Sequence, residues 1–159
     1  MKKSNNLATT VVKQLTKSGK TLSVAESLTG GGLGAAVTAV AGASKVFLGG
    51  VTSYSDLSKI KLLEVPRRLI TRHSSVSEEV AVAMAEGARS LFKSDFAIST
   101  TGVAGPGKAY GQKAGTVWLA IASKNETFVI ALSLAGDRAT VRKATIESAL
   151  ATFSRILSS

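Results

Sequence analysis

The sequence has no cysteine and only one histidine among its 159 residues. Without cysteine, disulfides, thiolate nucleophiles and cysteine metal sites are all excluded, and the compartment it weakly favours is the cytosol. With His73 as the only imidazole, no two-histidine metal site can be built. Aromatic residues make up 5% of the chain and no groove-reading motif appears, which disfavours nucleic-acid recognition. The start, MKKSNNLATTVVKQL, has no uninterrupted apolar run, so neither a signal peptide nor a membrane span is expected there. The expectation is therefore a cytoplasmic protein with no metal or other cofactor and no membrane partner.

What is present is a hydrophobic fraction of 45% against 19% charged, a globular composition. A chain of this length favours one domain and buries roughly two-thirds of its unfolded surface. The net charge is +10, from 20 basic and 10 acidic residues. That balance suits anionic partners, phosphorylated metabolites or nucleic acid. It equally suits a solvated basic surface, since no block of like charge occurs. Only Lys59, Lys61, Arg67, Arg68 and Arg72 form a local enrichment.

Apolar periodicity predicts a helix over 6–18, a buried strand over 21–25, a Gly-rich turn, and a helix over 33–40. A strand over 46–54 contains Gly49-Gly50, which predicts a bend or bulge. A short helix over 56–63 closes before Pro66. Ser77 caps a helix whose inward residues are Val80, Met84, Gly87 and Leu91. A strand over 95–100 runs into a second Gly-rich turn, 101–107. Strands over 117–123 and 127–134 form a hairpin. Asp137 caps the last helix, with Val141, Thr145, Ala149, Phe153 and Ile156 on its inner face. Helices alternating with strands, then a hairpin, predict a mixed sheet with packed helices, its strand directions left open.

Ligands of open α/β sheets bind where strands end in loops and helix N-termini. The two Gly-rich turns have that character. The first, Ala25 to Gly32, offers backbone amides and the hydroxyls of Ser27 and Thr29; the alternative is that its glycines serve close packing. It is neither a Walker A loop nor a GxGxxG turn. The second, Thr100 to Gly107, is either a wall of the same cleft or a plain surface loop. His73 lies in a polar stretch with no GxSxG elbow in the chain, so a Ser-His-Asp triad is disfavoured. Ser with Lys or Tyr is the feasible nucleophile–base set. Tyr54 and Lys59 straddle a predicted strand-to-helix junction and can reach one site. Read alone, Tyr54 also fits half-buried packing, and Lys59 an exposed helix charge.

Six strings together carry a family resemblance: AESLTGG at 25–31, FLGGVTSYS at 47–55 with Lys59, VSEEVAVAMAEGA at 76–88, TGVAGP at 101–106, GTVWLA at 115–120 and GDRATVR at 136–142. In order and spacing the chain resembles the CinA C-terminal domain, which is also found free-standing as nicotinamide mononucleotide deamidase. The resemblance implies one domain over residues 1–159, a three-layer α/β/α fold with helices on both faces of a mixed sheet, no metal, and commonly a homodimer. The activity implied is hydrolysis of the carboxamide of nicotinamide mononucleotide to nicotinate mononucleotide and ammonia, within pyridine nucleotide recycling. Carried over by motif, Ser27 is the nucleophile and Lys59, aided by Tyr54, its base. The amides of Thr29, Gly30 and Gly31 are the oxyanion donors. Thr101, with Gly102 in the same turn, sits beside the nucleotide, and Arg142 with Arg138 holds the phosphate; the alternative for both arginines is an exposed helix face.

The chain departs from the family pattern at three places. Leu28 stands where a cysteine is common. Asp56-Leu57-Ser58 replaces Asn-Glu-Ala before the lysine. The segment 107–114 lacks a second proline. Two other functions stay open at this point: a nucleotide-binding module of the same fold without catalysis, and a basic nucleic-acid-binding protein linked to competence.

Overall fold

A computed structural model describes residues 2–159. The first strand, β1 (Leu22–Glu26), is buried along its whole length. A strand buried on both faces has to lie inside a sheet with helices above and below, and β1 does. It pairs in parallel with β2 (Phe47–Thr52) on one side and β3 (Phe96–Gly102) on the other. Then β3 pairs antiparallel with β4 (Thr116–Ala122), and β4 antiparallel with β5 (Thr127–Ser133). The sheet order is β2-β1-β3-β4-β5. The directions left open by the sequence are thus three parallel strands followed by an antiparallel hairpin. The expected bulge is present, since Leu22 pairs with Phe47 and Ser23 with Gly49, leaving Leu48 unmatched.

Alternation along the strands sorts side chains into two unlike layers. On one face Leu22, Val24, Ile98, Leu119 and Ile121 pack against α1 (Lys2–Ser18), α2 (Gly32–Thr38) and α6 (Arg138–Ser158). On the other, Ala25, Ala97, Ala120 and Ala122 meet α5 (Glu78–Phe92) through its own small residues Ala81, Ala85 and Ala88. The alanine layer lets α5 approach the sheet closely enough for the Ser99 hydroxyl to donate to the Ala81 carbonyl at 2.6 Å. Beside α5 run α3 (Asp56–Leu63) and α4 (Arg67–His73). The fold is therefore α/β/α with helices on both faces. No helix among the described residues is long and apolar enough to cross a membrane.

Caps follow the sequence. The hydroxyls of Ser55 and Ser77 and the carboxylate of Asp137 accept from the backbone N–H three residues on, at the starts of α3, α5 and α6. One expectation needs correction. Leu91 is 53% exposed, because it falls off the α5 stripe that faces the sheet. Ile156 packs against the core as expected, and Leu150 of the same helix is fully buried. The polar stretch that holds His73 begins as helix: His73 ends α4, whose residues are all at least partly exposed and so give no apolar stripe to detect, and its Nδ1 lies 3.5 Å from Glu79 Oε1.

Gly87 does face inward, and its lack of a side chain is what lets α5 touch the end of α3. A Cβ there would sit 2.1 Å from the Leu63 carbonyl oxygen. That neighbour is backbone and cannot rotate away, so Gly87→Ala is expected to destabilise the fold by about 3 kcal/mol, read as a lowered urea midpoint. A midpoint equal to the parent's would show that α3 and α5 separate freely.

Candidate active site

The three parallel strands end on one edge of the sheet, and their loops meet there. From β1 comes Ser27, immediately after the strand; from β2 come Ser53 and Tyr54; from β3 comes the turn 102–107. The start of α6 adds Arg138 and Arg142. Ser27, Tyr54, Gly102, Pro106, Tyr110 and Arg138 are among the residues lining a cavity of about 140 Å³, room for about five waters. A larger cavity of about 740 Å³ lies elsewhere, between α1 and residues 39–45. Its charged lining is Lys13, Lys17 and Lys45, with no nucleophile–base pair, so the smaller cavity is where chemistry is available.

Lys59 is among the largest fully buried side chains, 1% exposed. Its Nζ donates to Ser27 Oγ at 3.2 Å and to the Ser53 carbonyl at 3.0 Å. Burial disfavours the ammonium and pushes the Lys59 pKa below its ordinary 10.5, with Asp56 opposing part of that shift. A buried lysine with a lowered pKa, in hydrogen-bond reach of a serine hydroxyl, is an arrangement that can supply a nucleophile and its base. The exposed-charge reading of Lys59 is thereby overturned. Its helix is held by the reciprocal Ser55–Ser58 capping box and closes on Lys59 itself, whose carbonyl accepts from Glu64 and Val65 N–H.

The turn after β1 is gripped from three sides. Glu26 is 2% exposed, and its two carboxylate oxygens accept from Leu33 N–H at 2.7 Å and Gly34 N–H at 3.0 Å. These are donors of the first turn of α2, which lack intrahelical partners. The Ser27 N–H donates to the Thr100 carbonyl at 3.0 Å, and the Thr29 and Thr100 hydroxyls share a bond of 2.8 Å. From α6, Arg142 donates to the carbonyls of Leu28 at 3.1 Å and Thr29 at 3.3 Å. Gly30 and Gly31 have φ of +59° and +97°, the left-handed region glycine adopts without strain. The Gly30 N–H donates to the Ser27 carbonyl at 3.0 Å, while those of Leu28, Thr29 and Gly31 have no acceptor among the described residues. Of these three residues, Leu28 lines the cavity that holds Ser27, whereas Thr29 is fully buried and neither it nor Gly31 is among the lining residues.

The remaining expected residues divide. Gly102 lines the cavity, whereas the Thr101 hydroxyl points away and donates to the Ser75 carbonyl at 2.8 Å. Tyr54 is exposed and accepts from Arg138 at 2.8 Å; Arg138 also donates to the Gly105 carbonyl at 2.7 Å, so one guanidinium spans the cavity mouth. Leu28, in the cysteine position, is buried in the α1–α6 core, and Leu57 is an exposed residue of α3. Sequence reasoning missed Glu26; its signal was a carboxylate at the end of a buried, otherwise uncharged strand. It also missed Tyr110 at the cavity wall, where the motif strings give no signal. Among the described residues no three His, Cys, Asp or Glu side chains converge to hold a metal ion.

An α/β/α domain with a Ser–Lys pair under a glycine turn defines the class of protein. The family is given by comparison: the chain belongs to the CinA family, and the model of the CinA C-terminal domain matches residues 4–157. A CinA-like protein of Geobacter sp. is 48% identical over 137 residues, 86% of this chain and 33% of that protein. One from Parasynechococcus marenigrum is 53% identical over 118 residues, 74% of this chain and 28% of its own. The chain thus spans about a quarter to a third of the length of the curated relatives it matches. The crystal structure of a CinA superfamily protein from Klebsiella pneumoniae superposes with a TM-score of 0.95 at 33% identity, covering 98% of both chains.

Because burial lowers the Lys59 pKa, the folded protein releases that proton at a lower pH than the unfolded chain. Stability is penalised while Lys59 is protonated in both states, and the penalty disappears as pH rises from the folded pKa to about 10.5. Relative to Lys59→Met, the parent is therefore expected to gain stability over that interval in denaturant titrations. A difference independent of pH would show an unperturbed lysine.

Proposed function

We propose that this domain is an amidohydrolase that removes ammonia from the carboxamide of nicotinamide mononucleotide. The observation that carries the reading is the 3.2 Å contact between Ser27 Oγ and the buried Lys59 Nζ. Ser27 Oγ attacks the carboxamide carbon as neutral Lys59 takes its proton. The negative charge that develops on the carboxamide oxygen is met by the unpartnered amide of Leu28, the residue of the turn after Ser27 that lines the cavity. Collapse of the tetrahedral intermediate breaks the C–N bond, with Lys59 returning the proton to the leaving nitrogen as ammonia. Water then attacks the Ser27 ester with Lys59 again as base, releasing the carboxylate and restoring the serine.

Substrate choice rests on the family resemblance together with the cavity. The site is small and fits a ring bearing a carboxamide, with the phosphate left toward its basic mouth. Arg138 is the guanidinium there, and its unspent N–H groups suit a phosphate. Tyr54 acts through Arg138 at that mouth, since its hydroxyl bonds Arg138 and not Lys59.

Ser27→Ala is expected to lower ammonia release from nicotinamide mononucleotide by about three orders of magnitude or more with the unfolding midpoint nearly unchanged. Lys59→Met is expected to cost at least about a hundredfold. In the parent, kcat/KM rises with pH through the depressed Lys59 pKa, on a limb centred below 10.5 that Lys59→Met lacks. Turnover surviving in a folded Ser27→Ala protein would sink the mechanism. Binding of the nucleotide without turnover in the parent would leave a non-catalytic module.

A further inference from the structure

Arg142 is the residue whose geometry departs most from its expected task. It does not line the cavity that holds Ser27. Its Nε and one terminal nitrogen are spent on the carbonyls of Leu28 and Thr29, which belong to the turn that follows the nucleophile. A Cβ on Gly30 would lie 3.1 Å from that terminal nitrogen, so the guanidinium rests against the turn backbone itself. From the amidase reading and this contact we infer that Arg142 is a positioning residue, which braces the turn after the nucleophile from the side away from the cavity.

The physical reason lies in the peptide unit. The Leu28 carbonyl and the Thr29 N–H belong to one peptide group. A cation hydrogen-bonded to the carbonyl oxygen draws electron density toward it and makes the N–H at the other end a stronger donor. Thr29 is fully buried and is not among the residues lining the cavity, so this contact acts on the shape of the turn rather than on a substrate. The second contact acts likewise on the Gly30 N–H, which donates to the Ser27 carbonyl and closes the turn. Arg142 thus ties two carbonyls of the turn together with one planar group. Lysine cannot reproduce this, because a single ammonium lacks the fork that reaches two carbonyls at once. Arg138, one helical turn earlier, faces the cavity and is left with the phosphate.

The test compares Arg142→Gln, Arg142→Lys and Arg138→Gln in the full chain, with nicotinamide mononucleotide and its unphosphorylated riboside as substrates. Both Arg142 variants are expected to lose about a hundredfold in kcat on both substrates, with KM within about twofold of the parent. Arg138→Gln is expected to raise KM for the mononucleotide alone. A second readout needs no turnover: amide hydrogen exchange over residues 27–32 is expected to quicken in the Arg142 variants. A KM rise confined to the phosphorylated substrate, with kcat and exchange at parent values, would overturn the inference and make Arg142 the phosphate ligand. If the parent releases no ammonia, the amidase reading fails and the exchange rates decide. Faster exchange over 27–32 keeps the brace, and unchanged exchange removes it.

Discussion

The burial of one lysine organises this site. An ammonium without a carboxylate partner is among the least favourable groups to remove from water, and Lys59 is removed almost completely. What it receives in return is two oxygen acceptors, Ser27 Oγ and the Ser53 carbonyl. Two hydrogen bonds do not offset a full charge, so burial lowers the Lys59 pKa from its ordinary 10.5 and weakens its hold on the proton beside the Ser27 hydroxyl. The surrounding structure has to supply the stability that this arrangement costs. It does so through the alanine layer between α5 and the sheet, and through the Gly87–Leu63 contact that holds α3 against α5.

The opposite side of the nucleophile is built on a different principle. The turn after β1 has few side chains to pack, so its shape is set by hydrogen bonds from charged groups. Glu26 holds the helix that follows, Arg142 holds the carbonyls, and Thr100 ties the turn to β3. Each grip comes from an element distant in sequence or from a buried carboxylate, so the turn is fixed by the whole fold. Donors fixed before substrate arrives need not reorganise as charge develops.

The elements were largely legible in the sequence because periodicity and capping residues are local signals. Asp56 to Leu63, Ser77 and Asp137 mark helix starts that the structure reproduces, and Gly49-Gly50 announces the bulge opposite β1. α4 was not legible, since a short helix with no buried residue has no stripe. At the site, residue types narrowed the chemistry to Ser with Lys or Tyr, and the motif strings selected Ser27 and Lys59. Which residue touches which was not legible. Lys59 looked like any helix lysine until the chain brought Ser27, 32 positions earlier, to within a hydrogen bond. Arg138 and Arg142 share one helix and one spacing, yet one faces the cavity and the other the back of the turn.

That division of the two arginines separates chemistry from selection. Ser27, Lys59 and Arg142 are buried or half-buried; Lys59 bonds Ser27 Oγ and the Ser53 carbonyl, and Arg142 the carbonyls of Leu28 and Thr29. Tyr54, Tyr110 and Arg138 are exposed at the mouth, and the only contacts Arg138 makes there are to Tyr54 and Gly105. Two of the three departures from the family pattern fall outside the buried set. Residues 107–114 border the mouth, and Leu57 is on the surface of α3. Leu28 is buried, but its side chain belongs to the core while its carbonyl and amide stay in the turn. A cysteine replaced by leucine at that position alters packing behind the nucleophile and leaves the backbone donors in place. Substitution at the mouth therefore leaves the buried Ser27–Lys59 contact undisturbed.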